Sequence, residues 1–102
     1  GQHVDLIGAY RPDMREVDDE ALRRSRIFVD SFDTTVGHIG ELKIPLAASV
    51  ISRGDLVADY YDLSRFSRTA DSDITLFKNG GGAHLDLMTC RYIMDVWKKK
   101  TA

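Results

Sequence analysis

Four runs of apolar positions organise the chain. Val4-Asp5-Leu6-Ile7, rich in branched side chains and closed by Gly8, predicts a strand over 3–8. Ile27-Phe28-Val29, bounded by Asp30-Ser31, predicts a second over 26–30. It has no polar alternation, which fits a strand of a parallel sheet with both faces covered. Ile74-Thr75-Leu76-Phe77 predicts a third over 73–78, broken by Asn79-Gly80-Gly81-Gly82. From Ala83 the period changes: Ala83, Leu87, Cys90, Met94 and Trp97 recur at steps of four and three, with His84, Arg91, Asp95 and Lys98 opposite. That spacing predicts an amphipathic helix over 83–99, the longest element, which places Cys90 against a core and makes Trp97 a helix-packing residue.

Between these runs the signals are local. Asp18 suits a helix N-cap, Asp19 and Glu20 the first turn, and Arg23 and Arg24 the last, so a short helix is expected over 19–25. Pro12 keeps residues 9–16 as a loop. Residues 32–53, interrupted by Gly37, Gly40 and Pro45, predict a short helical turn and irregular chain. Leu56, Tyr60 and Leu63 share a helical face over 55–65, and 67–72 reads as a loop. The order β-α-β-(α)-α-β-α predicts an α/β fold: half of a doubly wound sheet, with three parallel strands, flanking helices and a long C-terminal helix.

Composition narrows the function. In 102 residues, 43% are hydrophobic and 29% charged, the balance of a globular domain. A net charge of −2 supplies no basic field, so nucleic acid is not expected as a partner. No apolar run approaches the roughly 20 residues of a membrane span, so a membrane is not expected either. The single cysteine, Cys90, suits a reducing compartment, and a cytoplasmic location is expected. His3, His38, His84 and Cys90 lack metal-ligand spacing, so no metal is expected.

Ligands of open parallel sheets bind beyond the carboxyl ends of the strands. There the first strand leads into Gly8, Ala9 and Tyr10, and the third ends at Lys78, Asn79 and Gly80. Glycines after strands serve equally as plain turn formers, and the residues alone leave both readings open. Arg11, Arg15 and Glu16 in the first loop read either as ion-pair formers or as groups orienting a ligand loop. No G-x-G-x-x-G or P-loop pattern occurs in the chain.

Three segments carry a resemblance: GQHVDLIGAYRPDMREVDDEALRRSRIFVDS at 1–31, GELKIPLAASVISRGDLVADYYDLSR at 40–65 and DITLFKNGGGAHLDL at 73–87. Their G-A-x-x-P-x-x-x-E, V-D-S and T-x-F-K-x-x-G patterns, in this order, resemble the ornithine cyclodeaminase / mu-crystallin family. The resemblance implies the second half of an NAD(P)-binding Rossmann domain over 1–82, followed by a helix over 83–100. It implies NAD(P)(H) as the cofactor of the longer family proteins, with Gly8, Ala9 and Tyr10 beside the nicotinamide half and Lys78, Asn79 and Gly80 facing it. It also implies homodimers, and hydride transfer on small amino-acid or cyclic imine substrates.

Where cyclodeaminases and alanine dehydrogenases of this family carry an acid–base aspartate, this chain has Tyr10. Phenols titrate about six units above carboxylates, so the ketimine or pyrroline-2-carboxylate reductase branch is expected. A cyclodeaminase proper, or a non-catalytic binding module, are the alternatives. The family's substrate-binding arginine and lysine and its pyrophosphate turn fall outside these residues. The chain therefore reads as part of a longer enzyme, inactive alone and holding no cofactor tightly. Its free strand edge and final helix, with Met88, Met94 and Trp97, are expected to join it to a second copy.

Overall fold

The structure, a computed structural model, describes residues 1–101. Strand β1 is His3–Leu6, helix α1 Asp19–Arg24, β2 Ser25–Val29, α2 Phe32–Thr35 and α3 Gly40–Ala47. After a 3-10 turn at Arg53–Asp55 come β3, Leu56–Ala58, and 3-10 turns over Tyr60–Arg65. Strand β4, Ile74–Lys78, and helix α4, Ala83–Thr101, complete the chain.

The sheet has four strands in the order β1-β4-β2-β3, and every pairing is parallel. The parallel α/β reading holds, and the long C-terminal helix is present. The strand count of three does not hold, because the predicted helical face over 55–65 is split. Leu56–Ala58 is drawn out as β3 by pairing with β2, Ile27 opposite Leu56 and Phe28 opposite Ala58. Only Tyr60–Arg65 turns, and Leu63 there is 63% exposed. Long-range pairing has overridden a local helical spacing.

Alternation along the strands builds two unlike faces. Leu6, Ile27, Val29, Leu56 and Leu76 meet Leu22 of α1, Leu42 of α3 and Ile51 in one buried core. Burying such side chains contributes about 1.5–3 kcal/mol each. Phe28 on the other face is buried as well, with the Phe66 ring 4.8 Å from its own. Asp18 caps α1 by accepting from the Ala21 amide at 3.0 Å.

Residues 32–53 are more regular than their glycines and proline suggest. Helix α3 begins at Gly40 because the loop 11–14 lies against it. The Gly40 amide donates to the Arg11 carbonyl at 2.8 Å, and an added Cβ would stand 2.6 Å from the carbonyl oxygens of Pro12 and Met14. The helix stops at Ser49, which takes a φ of 58°, and the Val50 amide bonds back to the Pro45 carbonyl at 2.9 Å.

Helix α4 is amphipathic in sequence, yet none of its residues is buried. Cys90 is exposed, which corrects its placement in a core, and Trp97 is 62% exposed. The periodicity identified an apolar face; none of the described elements covers it.

Candidate functional site

The carboxyl ends of the four strands form one rim, because all strands run the same way. Leu6 of β1 pairs with Lys78 of β4, and Lys78 with Val29 of β2. The ladder continues past the strands: the Asn79 amide donates to the Leu6 carbonyl at 3.0 Å, and the Asp30 amide to the Lys78 carbonyl at 3.3 Å. Gly8–Tyr10 and Asn79–Gly80 are thereby brought to neighbouring positions.

Three carboxylates, each turned onto backbone amides, tie the rim loops together. Asp30, after β2, accepts from the Gly80 amide at 2.9 Å. Asp59, after β3, accepts from the amides of Phe32 at 3.1 Å and Tyr61 at 3.0 Å. Glu41 of α3, with no exposed surface, accepts from the amides of Glu16 at 2.9 Å and Val17 at 3.2 Å. An ionised acceptor makes each such bond worth about 1.5–3 kcal/mol. Asp30, Asp59 and Glu41 were not singled out from sequence. Their partners lie up to 50 residues away, and the only local sign was an acid directly after each of two short apolar runs.

The expected site residues divide by what they expose. Gly8 lies open at the rim, and Ala9 is buried beneath it. Tyr10 is 64% exposed, with the Arg11 guanidinium 5.5 Å from its ring centroid. Arg15 pairs with Asp19 at 2.7 Å, so its role is the ion pair. Asn79 accepts from the Gly81 amide through its side chain at 2.7 Å. At Gly80 a Cβ would meet Thr35 at 2.8 Å, and at Gly8 it would overlap the Glu16 carboxylate. Both neighbouring strand ends thus carry no side chain, and neighbouring groups occupy the space a Cβ would need.

Lys78 differs from the others, for only its backbone reaches the rim. Its side chain points to the helix-covered face and has 0% exposure. Burial holds the ammonium below the usual lysine range, while Glu16, Glu41, Asp30 and Asp5 act in the opposite sense. Tyr60, at the edge of the same rim, has its phenol raised by partial burial and by the charges of Asp30 and Asp5.

The face of the sheet away from α1 and α3 bears an open cleft of about 500 Å³ whose lining includes Phe28, Tyr60, Phe66, Phe77, His3 and Arg68. Tyr60 and Phe77 stack with ring centroids 5.3 Å apart. His3 Nδ1 lies 2.7 Å from Thr75 Oγ1. Among the described residues no cluster of His, Cys, Asp and Glu could hold a metal ion, and no helix is long and apolar enough to cross a membrane.

Comparison with known proteins adds what geometry alone does not. The chain is 54% identical, over 94% of its length, to a Delta(1)-pyrroline-2-carboxylate reductase of Paracoccus denitrificans, and spans 31% of that protein. It is 31% identical, over 95% of its length, to the mouse ketimine reductase mu-crystallin, spanning 29% of it. Among solved structures, an archaeal alanine dehydrogenase dimer with bound NAD superposes on the whole chain with a TM-score of 0.78 at 28% identity; the chain covers 32% of it. The Thermococcus litoralis Delta(1)-pyrroline-2-carboxylate reductase, in complex with NADH and L-proline, matches 79% of the chain with a TM-score of 0.72 at 33% identity; 26% of that structure is covered. A profile of the Ornithine cyclodeaminase/mu-crystallin family matches residues 1–101, and the chain belongs to that family.

Proposed function

We propose that residues 1–82 form the nicotinamide-side half of an NAD(P)-binding Rossmann domain, and residues 83–100 its exit helix. The enzyme so formed reduces amino-acid-derived imines of the pyrroline-2-carboxylate or ketimine type. The observation that carries this reading is the 54% identity to a Delta(1)-pyrroline-2-carboxylate reductase along 94% of the chain. The two glycine strand ends support it.

A nicotinamide cofactor supplies the hydride when bound. Gly8 and Gly80 would let its ring lie against backbone, and Ala9 and Asn79 would flank it. Lys78 takes part through its main chain, since its ammonium lies below the rim. Tyr10 places a phenol, not a carboxylate, at the rim, which favours imine reduction over deamination chemistry that needs a base near neutral pH. The chain has no glycine-rich pyrophosphate turn, so these residues alone should hold the cofactor weakly and turn over no substrate.

We further propose that the enzyme is a homo-oligomer. The archaeal alanine dehydrogenase was solved as a dimer, and α4 exposes Met88, Met94 and Trp97 on a helix that buries nothing.

Saturation-transfer NMR with NADH tests the cofactor reading. Transfer should be stronger to the nicotinamide protons than to the adenine protons. Adenine-dominated transfer, or none at millimolar NADH, overturns the assignment.

A further inference from the structure

We infer that Asp30 is a positioning residue for the rim: by taking the Gly80 amide, its carboxylate turns the Asn79–Gly80 peptide so that the Asn79 carbonyl faces the Gly8–Tyr10 loop. What that orientation serves rests on the cofactor reading above; the contacts that set it do not.

The strand ladder accounts for most of the rim and fails at one place. The Asp30 amide donates to the Lys78 carbonyl at 3.3 Å, as a parallel rung should. The next rung would carry the Gly80 amide to the Asp30 carbonyl. That carbonyl is instead taken by the Tyr60 amide at 3.1 Å, just past the end of β3. The Gly80 amide turns to the Asp30 carboxylate, 2.9 Å from Oδ1. One residue, 4% exposed, thus bonds the chain beyond both strands that flank β2.

Gly80 is fixed from a second side. The space where its Cβ would stand is filled by Thr35 at 2.8 Å, Thr34 at 3.1 Å and the Asp30 carboxylate at 3.2 Å. Thr35 is itself buried, and its hydroxyl donates to the Ser31 carbonyl at 2.7 Å. The Asn79–Gly80 peptide is trans, so the Gly80 N–H and the Asn79 C=O point in opposite directions. With the N–H held toward β2, the carbonyl points to the β1 side, where the Asn79 amide already meets the Leu6 carbonyl at 3.0 Å.

The amides of Asn79, Gly80 and Gly81 all donate within the chain. No hydrogen bond reaches the Asn79 carbonyl among the described residues. Between the two loops the turn therefore offers a ligand an acceptor, which suits an N–H donor group and not an anion. Without the Asp30 carboxylate the Gly80 amide has nothing to hold it, and the peptide is free to turn over.

Asp30→Ala removes the acceptor, and Asp30→Asn keeps an uncharged one. Backbone hydrogen exchange is read at Gly80 and compared with Ile27 and Val29 in the core, and NADH-induced shifts are read at Asn79. Asp30→Ala should accelerate Gly80 relative to the core amides and weaken the NADH response, each by at least about tenfold, the scale of losing one charge-assisted bond. Asp30→Asn should lie between Asp30→Ala and the wild type. Unchanged Gly80 exchange in Asp30→Ala, equal acceleration everywhere, or an NADH titration identical to that of the wild type overturns the inference.

Should Asp30→Ala fail to fold, the wild-type chain answers by itself. A scalar coupling across the hydrogen bond, from the Gly80 amide nitrogen to the Asp30 carboxyl carbon, should be present, and its absence overturns the inference. A wild-type chain that shows the coupling yet ignores NADH refutes the cofactor reading and leaves the Asp30 contact standing. A chain that binds NADH while Gly80 exchange ignores Asp30 refutes the positioning role and leaves the cofactor reading standing.

Discussion

Gly40→Ala is the sharpest test of how the rim loop is seated. The new Cβ would lie 2.6 Å from two carbonyl oxygens, of Pro12 and Met14, and 2.9 Å from the Met14 amide nitrogen. Ordinary contact begins at 3.4 Å, so the loop must retreat by about 0.8 Å. Overpacking of this kind costs about 1–3 kcal/mol. Retreat also stretches the 2.8 Å bond from the Gly40 amide to the Arg11 carbonyl, a loss of about 1 kcal/mol. Alanine's better helix propensity returns at most about 1 kcal/mol. The net expectation is a loss of about 1–3 kcal/mol, which lowers a urea midpoint by about 0.5–1.5 M at ordinary slopes. Gly37→Ala is the control, because nothing stands within 4 Å of its added Cβ. It should be neutral, or stabilise by about 0.4–1 kcal/mol through the unfolded chain. Equal stability of the two variants would refute the seating of residues 11–14 on α3.

Three further outcomes follow from the same geometry. Asp30→Ala removes the acceptor of the Gly80 amide and should cost about 1.5–3 kcal/mol in urea unfolding. Lys78 carries its charge less readily folded than unfolded, so the unfolded chain binds the extra proton; wild-type stability should rise from the depressed folded value up to about pH 10.4, and Lys78→Met should flatten that slope. Cys90 should react at once with a thiol reagent in dilute protein, and more slowly at concentrations where sedimentation shows dimer, if α4 forms the contact; a reactivity independent of concentration in a dimeric sample places the contact elsewhere.

The sequence was legible where structure follows from neighbours in the chain. Branched runs placed β1, β2 and β4 within a few residues. Asp18 marked the start of α1, and the lack of alternation in Ile27-Phe28-Val29 correctly placed β2 inside a parallel sheet. Leu56–Ala58 was not legible, since three residues set no period and become a strand only beside Ile27 and Phe28. Helix α3 hid behind Gly40 and Pro45, because its buried Gly40, Glu41, Leu42 and Pro45 form no apolar stripe. Glycines at the strand ends could be read from sequence. The carboxylates of Asp30, Asp59 and Glu41, and the burial of Lys78, could not, because only folding brings them to one edge. Helix α4 shows the opposite limit: a helical period reveals an apolar face but not what covers it.

The central proposal is that the rim between Gly8–Tyr10 and Asn79–Gly80 receives the nicotinamide ring. It is tested most directly by titrating NADH into the isotopically labelled chain and following every backbone amide. Weak, saturable shifts are expected, concentrated at Gly8, Ala9, Tyr10, Asn79 and Gly80, with Phe66 and Arg68 in the open cleft unmoved. Shifts centred on that cleft, or an unchanged spectrum at millimolar NADH, would contradict it.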